Sequence, residues 1–326
     1  MNGDSRNLDI LRAVAVLAVL VDHTLMALGH NHLGPVNCNW IGRTGVMFFF
    51  VHTSLVLMFS LQRSSDTRSF YLRRAFRIYP LCIVAVMFAH FVYSPAPAIS
   101  TRDFFLNLAL VQNLFGAKNA FGELWSLPLE VQMYVVLPVL FWVASRRPKA
   151  LIGVWAGAMA VMYIWHTWIF VPCFLAGVIS FALAGRLPRV LPRWAWPPTV
   201  VAVLLTFACV PGWERCWWPC LLLGLLIPMF REARPSLFSA TASQIAKYSY
   251  GIYLTHPFVI RFSIVTLEAH PAWVQVVEYL VLTVTLPIVF YHLIEHPGIV
   301  AGKKLASRLF GKTPEPMPKA LAATAD

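Results

Sequence analysis

Windows of about 20 apolar residues, the length that carries an α-helix across a bilayer, recur along this 326-residue chain from one end to the other. They lie at about 8–28, 42–61, 77–95, 124–145, 150–165, 166–184, 198–213, 216–231, 248–268 and 272–294. This predicts an all-α fold: a polytopic membrane helical bundle of about ten transmembrane helices. The tightest junction is WHTW at 165–168, which must be a very short turn, and the windows at 198–213 and 216–231 are short, so nine or eleven spans would also fit. Only 12% of the residues are charged, against roughly 25% in a soluble domain, which excludes an ordinary water-soluble enzyme.

The cations test the span count independently. With a cytoplasmic N-terminus, the inward segments hold Arg6; Arg63, Arg68, Arg73, Arg74 and Arg77; Arg146, Arg147 and Lys149; Arg186, Arg189 and Arg193; Arg231, Arg234 and Lys247; and Lys303, Lys304, Arg308, Lys312 and Lys319. The outward loops hold only Arg43, Arg102, Lys118 and Arg215. That bias predicts both termini in the cytoplasm. The net charge of +12 therefore reports topology and contact with anionic membrane lipid, not nucleic acid, because the cations are split among short loops. Residues 1–7 lack the features of a cleavable signal, so the first helix is expected to stay. The six cysteines form no CxxC pair and no His/Cys spacing suited to zinc, so no metal is expected. Cys38 and Cys216 both fall outside the membrane in this topology, where they could pair. The membrane unit is expected over 1–300, with 301–326, ending in GKTPEPMPKALAATAD, as a disordered cytoplasmic tail.

Three polar constellations interrupt the apolar windows. In LDILRAVAVLAVLVDH, 8–23, Arg12 and His23 are eleven positions apart, which is three turns plus about 20°, so they share one face about 16 Å apart. Asp9 precedes Arg12 by three residues and is placed to pair with it. Taken singly, Arg12 could snorkel to the headgroups and His23 could be a satisfied core histidine; on one face they mark a functional track. The basic segment FYLRRAFRIYP, 70–80, gathers Arg73, Arg74 and Arg77 on the cytoplasmic side, at a helix start, as a set of fork-shaped phosphate donors or as a surface anchor. In LWSLPLEVQMYVVLP, 124–138, Ser126 is placed to cap the helix that Pro128 helps start, and Ser126, Glu130 and Tyr134 recur every four residues as a polar stripe. Glu130 and His23 are expected at similar depth, where carboxylate and imidazole would meet.

These blocks, with GVMFFFVHTSLVLMFS and YSYGIYLTHPFVI, resemble in order the successive blocks of the acyltransferase-3 family of bacterial membrane acyltransferases, over roughly 6–298. The most specific element is an Arg followed by ten residues and a His in the first helix, matched here by Arg12 and His23. The resemblance implies a multi-pass protein of the bacterial inner (cytoplasmic) membrane in the stand-alone form, without a fused hydrolase-like domain. It would move an acyl group, most often acetyl, from cytoplasmic acyl-CoA to a hydroxyl of a glycan, lipid-linked glycan or related acceptor. Arg12, Arg73, Arg74 and Arg77 would hold the donor phosphates. His23 would be the general base, oriented by Glu130, with an acyl-histidine relay as the alternative. Ser126, Trp125 and Tyr134 are candidate oxyanion or substrate contacts. Many members carry a small Ser-Gly turn where this chain has His52, Thr53 and Ser54, so His52 is either a core histidine or an acceptor-pocket group. His256 matches a late block, although Pro257 points to a structural break. His292, Glu295 and His296 read as the interfacial end of the last helix. The loop 96–123, with amphipathic FFLNLALVQNLFG, is the expected acceptor side. The rival reading is a proton-coupled transporter, since intramembrane Arg, His and Glu also mark proton paths, but no repeated halves are visible.

Overall fold

The computed structural model describes residues 5–64, 66–93, 99–165, 168–268 and 270–311. Every one of the ten apolar windows is occupied by a helix: α1 (Arg6–Ala27), α2 (Cys38–Arg63), α3 (Thr67–Phe88), α5 (Ser126–Arg146), α6 (Ala150–Trp165), α7 (Val171–Leu183), α8 (Trp196–Cys209), α9 (Trp217–Leu226), α10 (Leu237–Ile260) and α11 (Ala272–Phe290). A short α4 (Thr101–Leu108) lies in the 96–123 loop, and α12 (His296–Phe310) follows α11. Five helical segments are long and apolar enough to cross a bilayer by themselves, at Arg6–Ala27, Cys38–Arg63, Thr67–Tyr93, Gly122–Arg146 and Ala272–Phe310. The only strands among the described residues are a two-stranded hairpin, His32–Leu33 and Val36–Asn37, between α1 and α2. The turn at 165–168 falls mainly on 166 and 167, outside the described residues.

α2 is the central post. It packs on α1 and α7, while α1 packs on α10 and α12 lies along α3. In lipid there is little hydrophobic drive between helices, so close backbone approach and dispersion contacts must hold them. Small residues permit that approach: a Cβ at Gly177 of α7 would collide with Ser54 Oγ and Val51 O of α2, and one at Gly45 would collide with Ala15 O of α1. The opposite extreme is α11, whose Trp273, Val276, Val277, Leu280, Val281 and Val284 are exposed, an apolar face suited to lipid.

Four expectations are corrected. The basic segment 70–80 is not at a helix start: α3 begins at Thr67, where Asp66 accepts from the backbone N–H groups of Arg68 (3.3 Å) and Ser69 (3.0 Å), so the arginines lie within the helix. Ser126 does not cap α5; its hydroxyl bonds the Tyr253 hydroxyl instead, at 2.7 Å. Residues 301–310 of the expected tail are helical, because α12 presents Gly298 and Gly302 to the Phe76 turn of α3; residues 312–326 lie outside the described residues. Cys38 and Cys216 are both buried and free, and Cys216 Sγ is turned toward Ile169 O at 3.2 Å.

Two prolines shape the back of the site. Pro257 in α10 and Pro287 in α11 each remove a backbone donor, and a π-helical turn opens four residues after each, at Arg261–Thr266 and Tyr291–Glu295.

Candidate active site

α1 carries the site's two ends. Near its N-terminal end, Arg12 enters a narrow chamber of about 80 Å³ with Arg74, Arg77, Glu130, Tyr134 and His52. Ser126, Ser249, Tyr250 and Tyr253 complete its polar wall. A second cavity of about 230 Å³ shares Arg12, His52, Val56 and Arg77 with the chamber and continues to Asp9 near the start of α1 and to Ser243 and Lys247 in the first half of α10. Three guanidinium groups thus face one another across a small volume, which is tolerable only with counter-charge and hydrogen bonds. Glu130 supplies one carboxylate and accepts from the Tyr134 hydroxyl one turn later. Glu295 supplies another: its side chain is 0% exposed and its Oε1 lies 3.3 Å from Arg77 Nη2. Arg12 Nε donates to Ser249 Oγ at 2.6 Å. Arg74 Nε and His52 Nδ1 are buried without a hydrogen-bond partner, which leaves polar capacity unspent beside the guanidinium groups.

The other end is a vestibule of about 540 Å³ lined by His23, Glu123, Lys118, Asn119, Pro257 and Arg261, among others. His23 Nδ1 lies 2.9 Å from Val19 O and 3.5 Å from Asp22 Oδ2, and His23 Nε2 lies 3.3 Å from Glu123 Oε1. His256 stacks edge-on against His23, with ring centroids 4.9 Å apart, and its Nδ1 is 2.8 Å from Tyr253 O. A carbonyl can only accept, so each Nδ1 carries a hydrogen toward it. His256 Nε2 is buried with no partner. One ring nitrogen of each imidazole and a Glu123 carboxylate oxygen all lie within 4.8 Å of one another, with His23 Nε2 facing Glu123 Oε1. Such a set calls for a shared proton or a bound cation.

Between the two ends stands one hydrogen-bonded layer. The Tyr253 hydroxyl meets Ser126 Oγ and donates to Glu123 O, each at 2.7 Å, so it ties α10 to the start of α5 and to the turn that carries Glu123.

Arg12 and His23 lie toward opposite ends of α1 and line separate cavities that share no residue. Ser126, Glu130 and Tyr134 do share one face, and it lines the Arg chamber. The Asp9–Arg12 pair is not formed, because the Asp9 carboxylate accepts from Ser243 and Arg12 turns inward. The meeting of Glu130 with His23 is not formed either; the carboxylate beside His23 is Glu123, in the 3₁₀ turn Gly122–Trp125. Arg73 does not line the chamber: its backbone faces Gly302 of α12, one helical step away from Arg74 and Arg77. Trp125 sits among Phe50 and Phe170 in the aromatic core and lines neither space. Glu295 is not interfacial but fully buried. Sequence reading missed Glu123 and Glu295. An acid beside LWSL was the one visible signal for Glu123, and nothing local announced Glu295.

A family described as an acyltransferase domain matches residues 5–292. Among curated proteins, the chain is 26% identical to "Nodulation protein 10" of Rhizobium leguminosarum bv. viciae, over 94% of this chain and 96% of that protein. It is 25% identical to "Peptidoglycan O-acetyltransferase OatA" of Listeria monocytogenes serovar 1/2a, over 80% of this chain and 50% of that protein. It is also 25% identical to "Acyltransferase MdmB" of Streptomyces mycarofaciens, over 77% and 78%. No solved structure matches.

Proposed function

The chain belongs to the acyltransferase-3 family, and from that premise we propose that it moves an acyl group, acetyl by preference, from cytoplasmic acyl-CoA to a hydroxyl of a surface glycan, glycolipid or lipid-linked glycan. The observation that carries this reading is the division of one helix between two chemistries: a guanidinium chamber at one end of α1 and an imidazole, its Nε2 beside the Glu123 carboxylate, at the other. The family relationship and the printed names of the relatives, one of them a peptidoglycan O-acetyltransferase, support acyl transfer to a carbohydrate hydroxyl.

In this reading the protein is a multi-pass protein of the bacterial inner membrane, with ten crossings and both termini in the cytoplasm. The start of α1 then faces the cytoplasm, as the distribution of Lys and Arg supports. Phosphates of the donor dock at Arg12, Arg74 and Arg77, whose charges are under-compensated by Glu130 and Glu295, and the thioester arm runs along α1 toward His23. The Ser126–Tyr253 layer must swing aside to let it pass. His23 Nε2 takes the acceptor hydroxyl proton as the oxygen attacks the thioester carbonyl; the C–S bond breaks, and the leaving thiolate receives that proton from the His23 imidazolium, which restores the base. Val19 O and Asp22 hold the His23 tautomer, and Glu123 stabilises the imidazolium that forms. The vestibule, lined in part by the 118–123 end of the loop between α3 and α5, receives the acceptor.

The test uses proteoliposomes with labelled acetyl-CoA on the face bearing the N-terminus and candidate glycans on the other. Label should appear on the glycan. Movement of an acceptor or anion with no acyl transfer would instead establish a transporter.

A further inference from the structure

We propose that His23, Glu123 and His256 form a binding site for a divalent transition-metal ion, zinc above all, on the floor of the vestibule, and that its occupation competes with acyl transfer. The competition rests on the reading of His23 as the base; the binding does not.

The donor set is already assembled. In tetrahedral zinc sites with ligand distances of about 2.0–2.1 Å, neighbouring donor atoms are about 3.3 Å apart, and His23 Nε2 and Glu123 Oε1 are separated by 3.3 Å. His256 offers a ring nitrogen within 4.8 Å of both, and its Nε2 has no hydrogen-bond partner although the residue is only 2% exposed. Metal-binding imidazoles characteristically donate their second nitrogen to a carbonyl or carboxylate. Both imidazoles meet that condition, His23 through Val19 O and Asp22, His256 through Tyr253 O. Two nitrogens and one carboxylate oxygen leave a fourth position facing the vestibule, where water or an acceptor hydroxyl can bind. Lys118 and Arg261 line the same space and disfavour a cation by simple repulsion, while Asp22, buried with an unpartnered Oδ1, offsets them. A hard ion such as magnesium would want octahedral oxygen ligands, which this set does not offer.

The consequence follows from one lone pair having two claimants. A metal on His23 Nε2 displaces the proton the cluster shares and leaves no base for the acceptor hydroxyl. The site is then an inhibitory one, opening on the acceptor side.

The test is zinc titration of the purified full chain in nanodiscs against a chromophoric chelator. One zinc per chain is expected, with affinity lowered at least about tenfold in Glu123→Gln and in His256→Ala and unaltered by combined His30→Ala and His32→Ala in the exposed segment between α1 and α2. Zinc should raise the melting temperature of the wild type but not of Glu123→Gln, which separates binding from a folding defect. Acyl transfer should fall as buffered free zinc rises, with its midpoint at the binding constant. Absent binding, binding indifferent to both substitutions, or stimulation of transfer by zinc would each overturn the proposal. If no acceptor is ever acylated, the proposed activity fails while the titration still decides the site.

Discussion

Glu295→Gln isolates the one buried carboxylate that braces the arginine chamber from behind. The substitution keeps the side chain's shape and removes its charge, leaving Arg77 without the partner that sits 3.3 Å from its Nη2. Breaking a buried ion pair by removing one member costs about 3–5 kcal/mol. Arg77 keeps 27% of its side-chain surface exposed, so water recovers part of the loss and about 2–3 kcal/mol is the appropriate magnitude. For a chain of this size that corresponds to a fall of about 3–4 °C in melting temperature. The kinetic effect is directional. A loosened Arg77 weakens donor docking, so KM for acyl-CoA should rise about tenfold, equivalent to 1.4 kcal/mol, while kcat changes less than about threefold. Thermal melting in nanodiscs and initial-rate kinetics over a donor series measure both. Pairing Glu295→Gln with Arg77→Gln should give strongly non-additive losses, because the two groups share one interaction. An unchanged melting temperature together with an unchanged KM would refute the assignment of Glu295 as the brace of Arg77.

Three further outcomes are expected. Tyr253→Phe removes the hydroxyl that links Ser126 to the Glu123 turn; it should cost about 1–2 kcal/mol in stability and lower kcat without raising donor KM, read from the same kinetics. Gly177→Ala drives a Cβ into Ser54 and Val51 of α2 and should lower the melting temperature by an amount equivalent to about 1–3 kcal/mol or more, since neither backbone can retreat. Arg74→Ala should raise donor KM at least about tenfold, whereas Arg73→Ala, on the α12 side, should change it little; donor-binding measurements separate the two.

The parts of the molecule that depend on local pattern were legible in the sequence. Apolar windows became helices because lipid leaves an apolar segment no other backbone solution. Arg12 and His23 share a helix face, as do Ser126, Glu130 and Tyr134, because helical periodicity alone fixes those relations. What depends on chain-distant packing was not legible. Asp9 pairs with Ser243, 234 residues away, in place of Arg12 three residues on. His23 meets Glu123, which sits in an irregular turn where no periodicity reports direction. Glu295 looked like a helix end because α11 stops being apolar there; it is buried because α12 continues and folds along α3. Arg73 and Arg74 are equivalent in composition, and only the position of α12 distinguishes them.

The central claim is that His23 removes the acceptor proton during acyl transfer. Transfer of label from acetyl-CoA to a glycan hydroxyl, measured side by side for the wild type and His23→Gln with donor binding checked independently, tests it most directly. The account predicts a loss of about 100-fold or more in kcat with donor affinity retained, since the arginine chamber lies at the far end of α1. Undiminished transfer by His23→Gln would contradict it.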